Sequence, residues 1–445
     1  MTDQNNYDYD VLYIGAGHGT FDGAIPLAQS GAKVGVIEAD MIGGTCPNYG
    51  CNAKITLDAP VALTRAAERL QGVVEGKLSI NWTNNEAHKD EVISPLPTVI
   101  GGLLEQSGID VIHGTGSFKD RHTVVVDGQE KTADNIVIAT GLRPHRLDIP
   151  GSELAHDSRD FMSLKQLPQR IAIVGSGYIS MEFATMANAS GAQVTVLMHG
   201  DQALREFNQP YVEQVISDLD RRGVTFIRSA GVSAFEQAGD HLRVQYGDNQ
   251  NLDVDWILDA TGRIPNVEHL GLDAIGVRYT EHGVEVNDRL QTSVDNIYAS
   301  GDVIDKSQPK LTPTAIVEST YLFHRFSDHD DSPLTYPVIP SVVFTSPRIA
   351  KAGVSVDEAQ QRGYKITTNH LPDGWYRQVD KETIGDNALI FDADHHLVGA
   401  TEISDQAPDA INTLLPAIEF KFGASELSRL VYLFPTIGAD AMTQL

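Results

Sequence analysis

Cysteine is nearly missing from this chain: 445 residues carry two, Cys46 and Cys51, five positions apart. So few exclude a disulfide-built scaffold, and with no third cysteine a thiolate metal centre would need further ligands of another kind. Positive charge is also in deficit. Sixty acidic residues against 33 basic ones leave a net charge of −27, a field that repels nucleic acid and anionic membrane surfaces, so neither is expected as a partner. No apolar run approaches the roughly 18 residues of a membrane span. The stretch from Met1 to Asp10 is polar and acidic, without a basic n-region or an apolar core of signal length. With so little cysteine, this predicts a reducing, cytoplasmic setting.

What is present reads as a soluble enzyme. Hydrophobic residues make up 41% and charged residues 21% of the chain, and its length exceeds one ordinary core, predicting two or three domains. The cysteines stand in Gly43-Gly44-Thr45-Cys46-Pro47-Asn48-Tyr49-Gly50-Cys51-Asn52-Ala53-Lys54. Two thiols this close can form a strained, readily reduced disulfide, the property of a catalytic redox pair. The alternatives are two buried thiols on one helix turn, or half of a metal site.

The flanks favour redox chemistry. An apolar strand, Asp10 to Ile14, runs into Gly15-Ala16-Gly17-His18-Gly19-Thr20, then a helical stretch to Ser30, then a second strand from Val34 ending at Glu38. This is a βαβ dinucleotide fingerprint: Gly15 permits the tight turn, Gly17 lets backbone approach a pyrophosphate, and Glu38 is placed for ribose hydroxyls. Thr20 stands where a third glycine is usual. The pattern recurs 160 residues on, with Gly175-Ser176-Gly177-Tyr178-Ile179 after the strand Arg170 to Val174, and Ser190-Gly191-Ala192 matching Ser30-Gly31-Ala32. Two dinucleotide sites follow. Met198 replaces the carboxylate at the second, and His199 and Arg205 lie nearby, a pattern that favours the 2′-phosphate of NADPH, with NADH the alternative.

The whole resembles the pyridine nucleotide-disulfide oxidoreductases, the group of glutathione reductase, dihydrolipoamide dehydrogenase and mercuric reductase. Further motifs carry the resemblance: Ala139-Thr140-Gly141, Ala260-Thr261-Gly262-Arg263-Ile264-Pro265-Asn266, Thr292 to Gly301-Asp302, Leu311-Thr312-Pro313 and Ile339 to Pro347. It implies an α/β protein with two Rossmann-like dinucleotide-binding domains and a C-terminal α+β dimerisation domain, acting as a homodimer. The expected divisions are an FAD domain over 1–150, an NAD(P) domain over 151–267, a return to the FAD domain over 268–335 and an interface domain over 336–445. The resemblance assigns Gly15, Gly17, His18, Gly19, Glu38, Gly44, Thr45, Thr140, Gly141, Gly301, Asp302 and Thr312 to FAD. Gly175, Gly177, Tyr178, Ile179, His199, Arg205 and Gly262 go to NAD(P). It makes Cys51 the flavin-proximal thiolate, Cys46 the outer thiol, and Lys54 and Glu182 a pair near the flavin. No resident metal is implied.

Departures from the family lie at the substrate end. Disulfide-reducing members carry a His-Pro-Thr segment near the C-terminus, with a glutamate three residues after its threonine; from the partner subunit this pair moves the proton of the outer thiol. Here the segment reads Leu433-Phe434-Pro435-Thr436-Ile437-Gly438-Ala439-Asp440, so Phe434 and Ala439 stand in place of the histidine and glutamate. Tyr432, Tyr49 or the substrate itself would then have to supply the proton. Glutathione is disfavoured, because Ala24 to Leu27 and Val317 to Thr320 lack the arginines that clamp its carboxylates, and Glu318 would repel it. The second cysteine pair of mercuric reductases is missing after Cys51. These features predict an NAD(P)H oxidoreductase passing electrons through Cys46/Cys51 to a small acceptor, an activated sulfur species or a small disulfide other than glutathione. Reduction of metal ions or quinones without disulfide interchange, and a low-turnover redox sensor, are the alternatives.

Overall fold

The computed structural model describes residues 7–445, so Met1 to Asn6 of the polar N-terminal stretch lie outside the described residues. The chain divides into two compact units. The first comprises residues up to 55, 88–144 and 263–336. Its seven-stranded sheet is built on the strand Tyr9–Ile14, paired in parallel with Val34–Glu38 on one side and Gln129–Ile138 on the other. Asp110–His113 extends the sheet beyond Val34–Glu38, and Ile297–Ala299 pairs in parallel with Gln129–Ile138. Leu12, Tyr13, Val36, Ile136 and Ile138 are wholly buried, as expected of parallel strands covered on both faces. The helices Phe21–Gln29 and Thr312–Ser327 meet where Gly23 N–H donates to Ser319 Oγ at 2.8 Å.

The second unit comprises residues 56–87, 145–262 and 337–445. It repeats the parallel motif in a four-stranded sheet ordered Thr225–Ile227, Gln193–Leu197, Arg170–Val174, Trp256–Asp259. Towards the C-terminus five antiparallel strands, Ser341–Val343, Arg348–Gly353, Leu397–Ser404, Asp386–Phe391 and Lys365–His370, form one sheet covered by the helix Ala407–Glu419. The expected α/β class, with two Rossmann-like sheets and an α+β C-terminal part, is what the chain forms.

The strand Leu397–Ser404 takes an acid, Glu402, into the interior. The buried Arg377 guanidinium makes this possible, reaching Glu402 at 2.9 Å, Asp440 at 2.8 Å and Glu382 at 3.4 Å. Three carboxylates around one buried cation fasten the C-terminal helix Ile437–Met442 to the sheet. Among the described residues no helix is long and apolar enough to cross a membrane.

Candidate functional site

The two cysteines do not share a helix turn. Cys46 lies in the short helix Thr45–Tyr49, the chain breaks at Gly50, and Cys51 opens the helix Cys51–Arg69. The break lets them approach to about 3.2 Å, with Cys46 half-buried and Cys51 exposed. Thr312 Oγ1 stands 3.5 Å from Cys51 Sγ, and Cys46 Sγ lies 3.9 Å from Asn52 Oδ1. The Cys51 thiol is pulled down to about 6, first by the hydrogen bond from Cys46, then by Thr312 and by the charges of Lys54 and His18. A position at a helix N-terminus acts in the same direction. Cys46 is pushed up, chiefly by holding the hydrogen-bonding proton and by burial. The pair is therefore a thiol donating to a thiolate.

Around it the first unit gathers the glycine turns. Gly15 adopts a φ of +110°, and a Cβ there would collide with the Ala139 carbonyl, so the turn closes against the segment leading to Thr140-Gly141. Gly17 packs on Gly44, where an added Cβ at Gly44 would fall 3.0 Å from Gly17 Cα. Gly19 abuts Ser300 and Gly301, the turn that carries Asp302. Glu38 Oε2 accepts Ala16 N–H and Oε1 accepts Asp40 N–H, both at 2.8 Å, which fixes its carboxylate beside the turn. Thr140 Oγ1 donates to Asn266 O at 2.6 Å, and Asn266 Nδ2 returns a bond to Thr140 O at 2.8 Å. His18 Nδ1 pairs with Asp22 at 2.7 Å. The result is a floor of side-chain-free backbone before a helix N-terminus, which fits the pyrophosphate of a dinucleotide such as FAD.

The second unit repeats the device. Gly175 has a φ of +123°, and a Cβ there would collide with the Ala260 carbonyl, while Gly262 accepts His145 N–H at 3.0 Å. Gly177 caps the helix Tyr178–Ala189, whose first turn holds Tyr178 and Ile179, and the Tyr178 ring meets Phe207 edge-on at 5.5 Å. Met198 is buried, whereas His199 and Arg205 are exposed. Arg205 folds over the turn after His199: a Cβ on Gly200 would fall 2.9 Å from its Nη2. Glu182 is buried and accepts Phe344 N–H at 2.9 Å. Lys54 belongs to the first unit, in the opening turn of Cys51–Arg69.

At the C-terminal segment Phe434 is 73% exposed, its ring 5.6 Å from that of Trp375. Asp440 is engaged by Arg377 and serves structurally. One expectation is corrected. Glu318 does not face a substrate; it is wholly buried, taking Gly301 N–H at 2.6 Å, Lys306 Nζ at 2.6 Å and Tyr336 OH at 2.7 Å. The case against glutathione then rests on the missing arginines. Sequence reasoning also missed Asp22, although its spacing of four from His18 at a helix start is a pairing signal.

Comparison with known proteins agrees with this geometry. The family model for pyridine nucleotide-disulphide oxidoreductases matches residues 9–319, and that for their dimerisation domain matches 339–444. A mercuric reductase of Staphylococcus aureus is 32% identical over 433 residues, 95% of this chain and 79% of that protein. A glutathione reductase of Nostoc sp. is 34% identical, covering 80% of each, and a dihydrolipoyl dehydrogenase of Staphylococcus aureus is 30% identical, covering 97% and 95%. Among solved structures, the HOCl-induced flavoprotein disulfide reductase RclA from Escherichia coli superimposes with a TM-score of 0.88 at 25% identity, over 98% of this chain and 99% of that one.

Proposed function

The chain belongs to the pyridine nucleotide-disulphide oxidoreductase family, an FAD- and NAD(P)H-dependent group of enzymes, and we propose that its Cys46/Cys51 dithiol reduces a small, activated sulfur electrophile. The observation that carries this is the asymmetric pair itself: an exposed Cys51 thiolate stabilised by Cys46, Thr312 and Lys54, beside a half-buried Cys46 thiol about 3.2 Å away. An acceptor whose leaving group departs unprotonated, or a small disulfide turned over slowly, suits a chain with Phe434 and Ala439 in place of the histidine and glutamate.

In this reading FAD, when bound, relays an electron pair from NAD(P)H to the disulfide. Gly15, Gly17, Gly19, Gly44 and Gly301 present backbone to it, with His18, Glu38, Thr45, Thr140, Gly141, Asp302 and Thr312 around them. The turn of Gly175, Gly177, Tyr178, Ile179 and Gly262 takes the nicotinamide dinucleotide, and His199 with Arg205 favours NADPH. Lys54 and Glu182 support the flavin end. The dimerisation-domain match supports a homodimer.

Anaerobic titration with NADPH tests the reading. A long-wavelength thiolate-to-flavin band after two electrons, and loss of acceptor reduction in Cys46→Ser, are expected. Bleaching without that band sinks the mechanism. Such a result favours a second reading, reduction of a metal ion without interchange, which the resemblance to mercuric reductases at 30–32% identity supports. Retained electron transfer in Cys46→Ser would point the same way.

A further inference from the structure

Ile349, Ala350 and Ala352 are buried in the strand Arg348–Gly353, and Lys351 stands among them, itself half-buried. A partly desolvated ammonium is costly unless something receives it. Two consecutive residues of the same unit do so. Lys351 Nζ donates to the Glu206 carbonyl and lies 4.8 Å from the centroid of the Phe207 ring. Burial lowers the Lys351 pKa while the Glu206 charge opposes that, in keeping with an ammonium held against this loop.

The loop it grips is tied to the second glycine turn. Leu204 N–H donates at 2.9 Å to the carbonyl of Ser176, the residue between Gly175 and Gly177. Leu204 takes a φ of +43°, a conformation that a residue other than glycine adopts only under constraint. Gln209 Nε2 supplies part of that constraint, donating to the carbonyls of Ala203, Leu204 and Phe207 at 3.2, 3.3 and 3.1 Å. From this loop the buried Phe207 ring meets Tyr178 edge-on, at 5.5 Å and 71° between the ring planes. Tyr178 opens its helix directly after Gly177. Ser341 is the neighbour of Lys351 across the sheet, and the Tyr178 hydroxyl interacts with Ser341. The contacts therefore close on themselves, from Lys351 through Phe207 and Tyr178 to Ser341.

The geometry points to Lys351 as a positioning residue of the nicotinamide dinucleotide site, reaching from the C-terminal sheet to fix the loop that carries Arg205 and to brace Tyr178 through Phe207. This rests on the reading of the Gly175 to Gly177 turn as that site. Tyr178 stands at the helix start where NADPH and NADH would bind alike, so loss of the Lys351 ammonium weakens both nucleotides. The bond to Glu206 also steadies Arg205, the next residue, so NADPH suffers at least as much as NADH. That pattern differs from loss of Arg205 alone, which bears on the 2′-phosphate only.

The test needs no acceptor. Holoenzyme is mixed anaerobically in a stopped-flow cell with graded NADPH or NADH, and flavin absorbance gives an apparent Kd and a limiting rate of reduction. Lys351→Met keeps the length of the side chain and removes the ammonium. Its Kd is expected to rise about tenfold for NADH and at least as much for NADPH, with the limiting rate within about twofold of wild type. Lys351→Arg, which keeps a cation able to lie on a ring and donate to a carbonyl, should return both to within about threefold of wild type. Phe207→Leu should weaken both nucleotides as well. Adding it to Lys351→Met should cost nothing beyond the worse single variant, because both break the same line of contacts. Flavin content and urea midpoint check that each variant is folded. A wild-type Kd in Lys351→Met, or Lys351→Arg no better than Lys351→Met, overturns the proposal, and so does a slower limiting rate at unchanged Kd. Wild-type affinities in Phe207→Leu overturn the bracing of Tyr178 even if Lys351→Met fails to fold. The nucleotide-site reading fails separately, by a wild-type flavin that neither nucleotide reduces.

Discussion

Lys306 Nζ meets Glu318 Oε1 at 2.6 Å with both side chains shut away from water. The other carboxylate oxygen takes Gly301 N–H at 2.6 Å, next to Asp302. Removing one partner of such a pair leaves an uncompensated buried charge, at a cost of about 3–5 kcal/mol. Glu318→Gln should therefore lower the urea midpoint of the holoenzyme, and should weaken FAD binding to the apoprotein about tenfold or more by loosening the Gly301–Asp302 turn. The double variant Glu318→Gln/Lys306→Met should recover part of the lost stability but not the FAD affinity. Equal losses in the single and double variants would show that the ammonium is not stranded in the single one.

The thiol pair gives a pH prediction whose sign follows from its asymmetry. Cys51 is depressed to about 6 while Cys46 is raised, so reduced protein should show one thiolate absorbance step centred near that pH and no second step through neutrality. A depressed thiol stabilises the fold fully above its unfolded value of about 8.5, and that contribution is lost as pH falls towards about 6. Since the Cys46 hydrogen bond is the largest cause, Cys46→Ala should move the step up, and Thr312→Val should move it up by less. A Thr312→Val step further displaced than that of Cys46→Ala would reverse the assigned order of causes.

What could be read in the sequence was what local geometry dictates. Gly15 and Gly175 are required by positive φ and by the carbonyls of Ala139 and Ala260, and such constraints survive as motifs. The two-cysteine stretch announces its chemistry by scarcity and spacing. Glu318 and Glu402 were not legible as interior residues, because an acid reads as surface until its cation is known, and Lys306 and Arg377 are supplied by separate elements. The approach of Thr312 to Cys51 spans 261 positions, beyond any local pattern. The division of the cysteines between two helices turns on Gly50, whose conformation ends one helix just before the next begins.

Arg205 offers a test of nucleotide preference. Its guanidinium lies over Gly200, beside His199 at the end of the strand Gln193–Leu197, where Met198 leaves no carboxylate for a ribose hydroxyl. A hydrogen bond to a charged group is worth about 1.5–3 kcal/mol, so Arg205→Ala should raise KM for NADPH roughly tenfold to a hundredfold and leave KM for NADH nearly unchanged. Steady-state NAD(P)H oxidation with both nucleotides reads the ratio. Parallel rises for the two would place Arg205 outside the 2′-phosphate site.

Restoring the missing acid–base pair tests what limits the wild-type chain. Thr436 Oγ1 accepts Ala439 N–H at 3.3 Å, which makes Thr436 the cap and Ala439 the third residue of the helix Ile437–Met442. A glutamate at 439 can reach back to the Thr436 N–H and complete a capping box, so Ala439→Glu is expected to fold and to stabilise the segment slightly. Alone it supplies no proton carrier, and neither it nor Phe434→His should change turnover much, because an unoriented imidazole is a poor relay. Together, Phe434→His/Ala439→Glu should raise turnover with a small disulfide such as lipoamide by up to about a hundredfold, within the range of general acid–base catalysis. NADPH oxidation at several lipoamide concentrations separates a rise in kcat from a change in KM. A rise in kcat supports a chain specialised for acceptors that do not need this pair, whereas a double variant no faster than wild type would show that the replaced residues are not what holds disulfide turnover down.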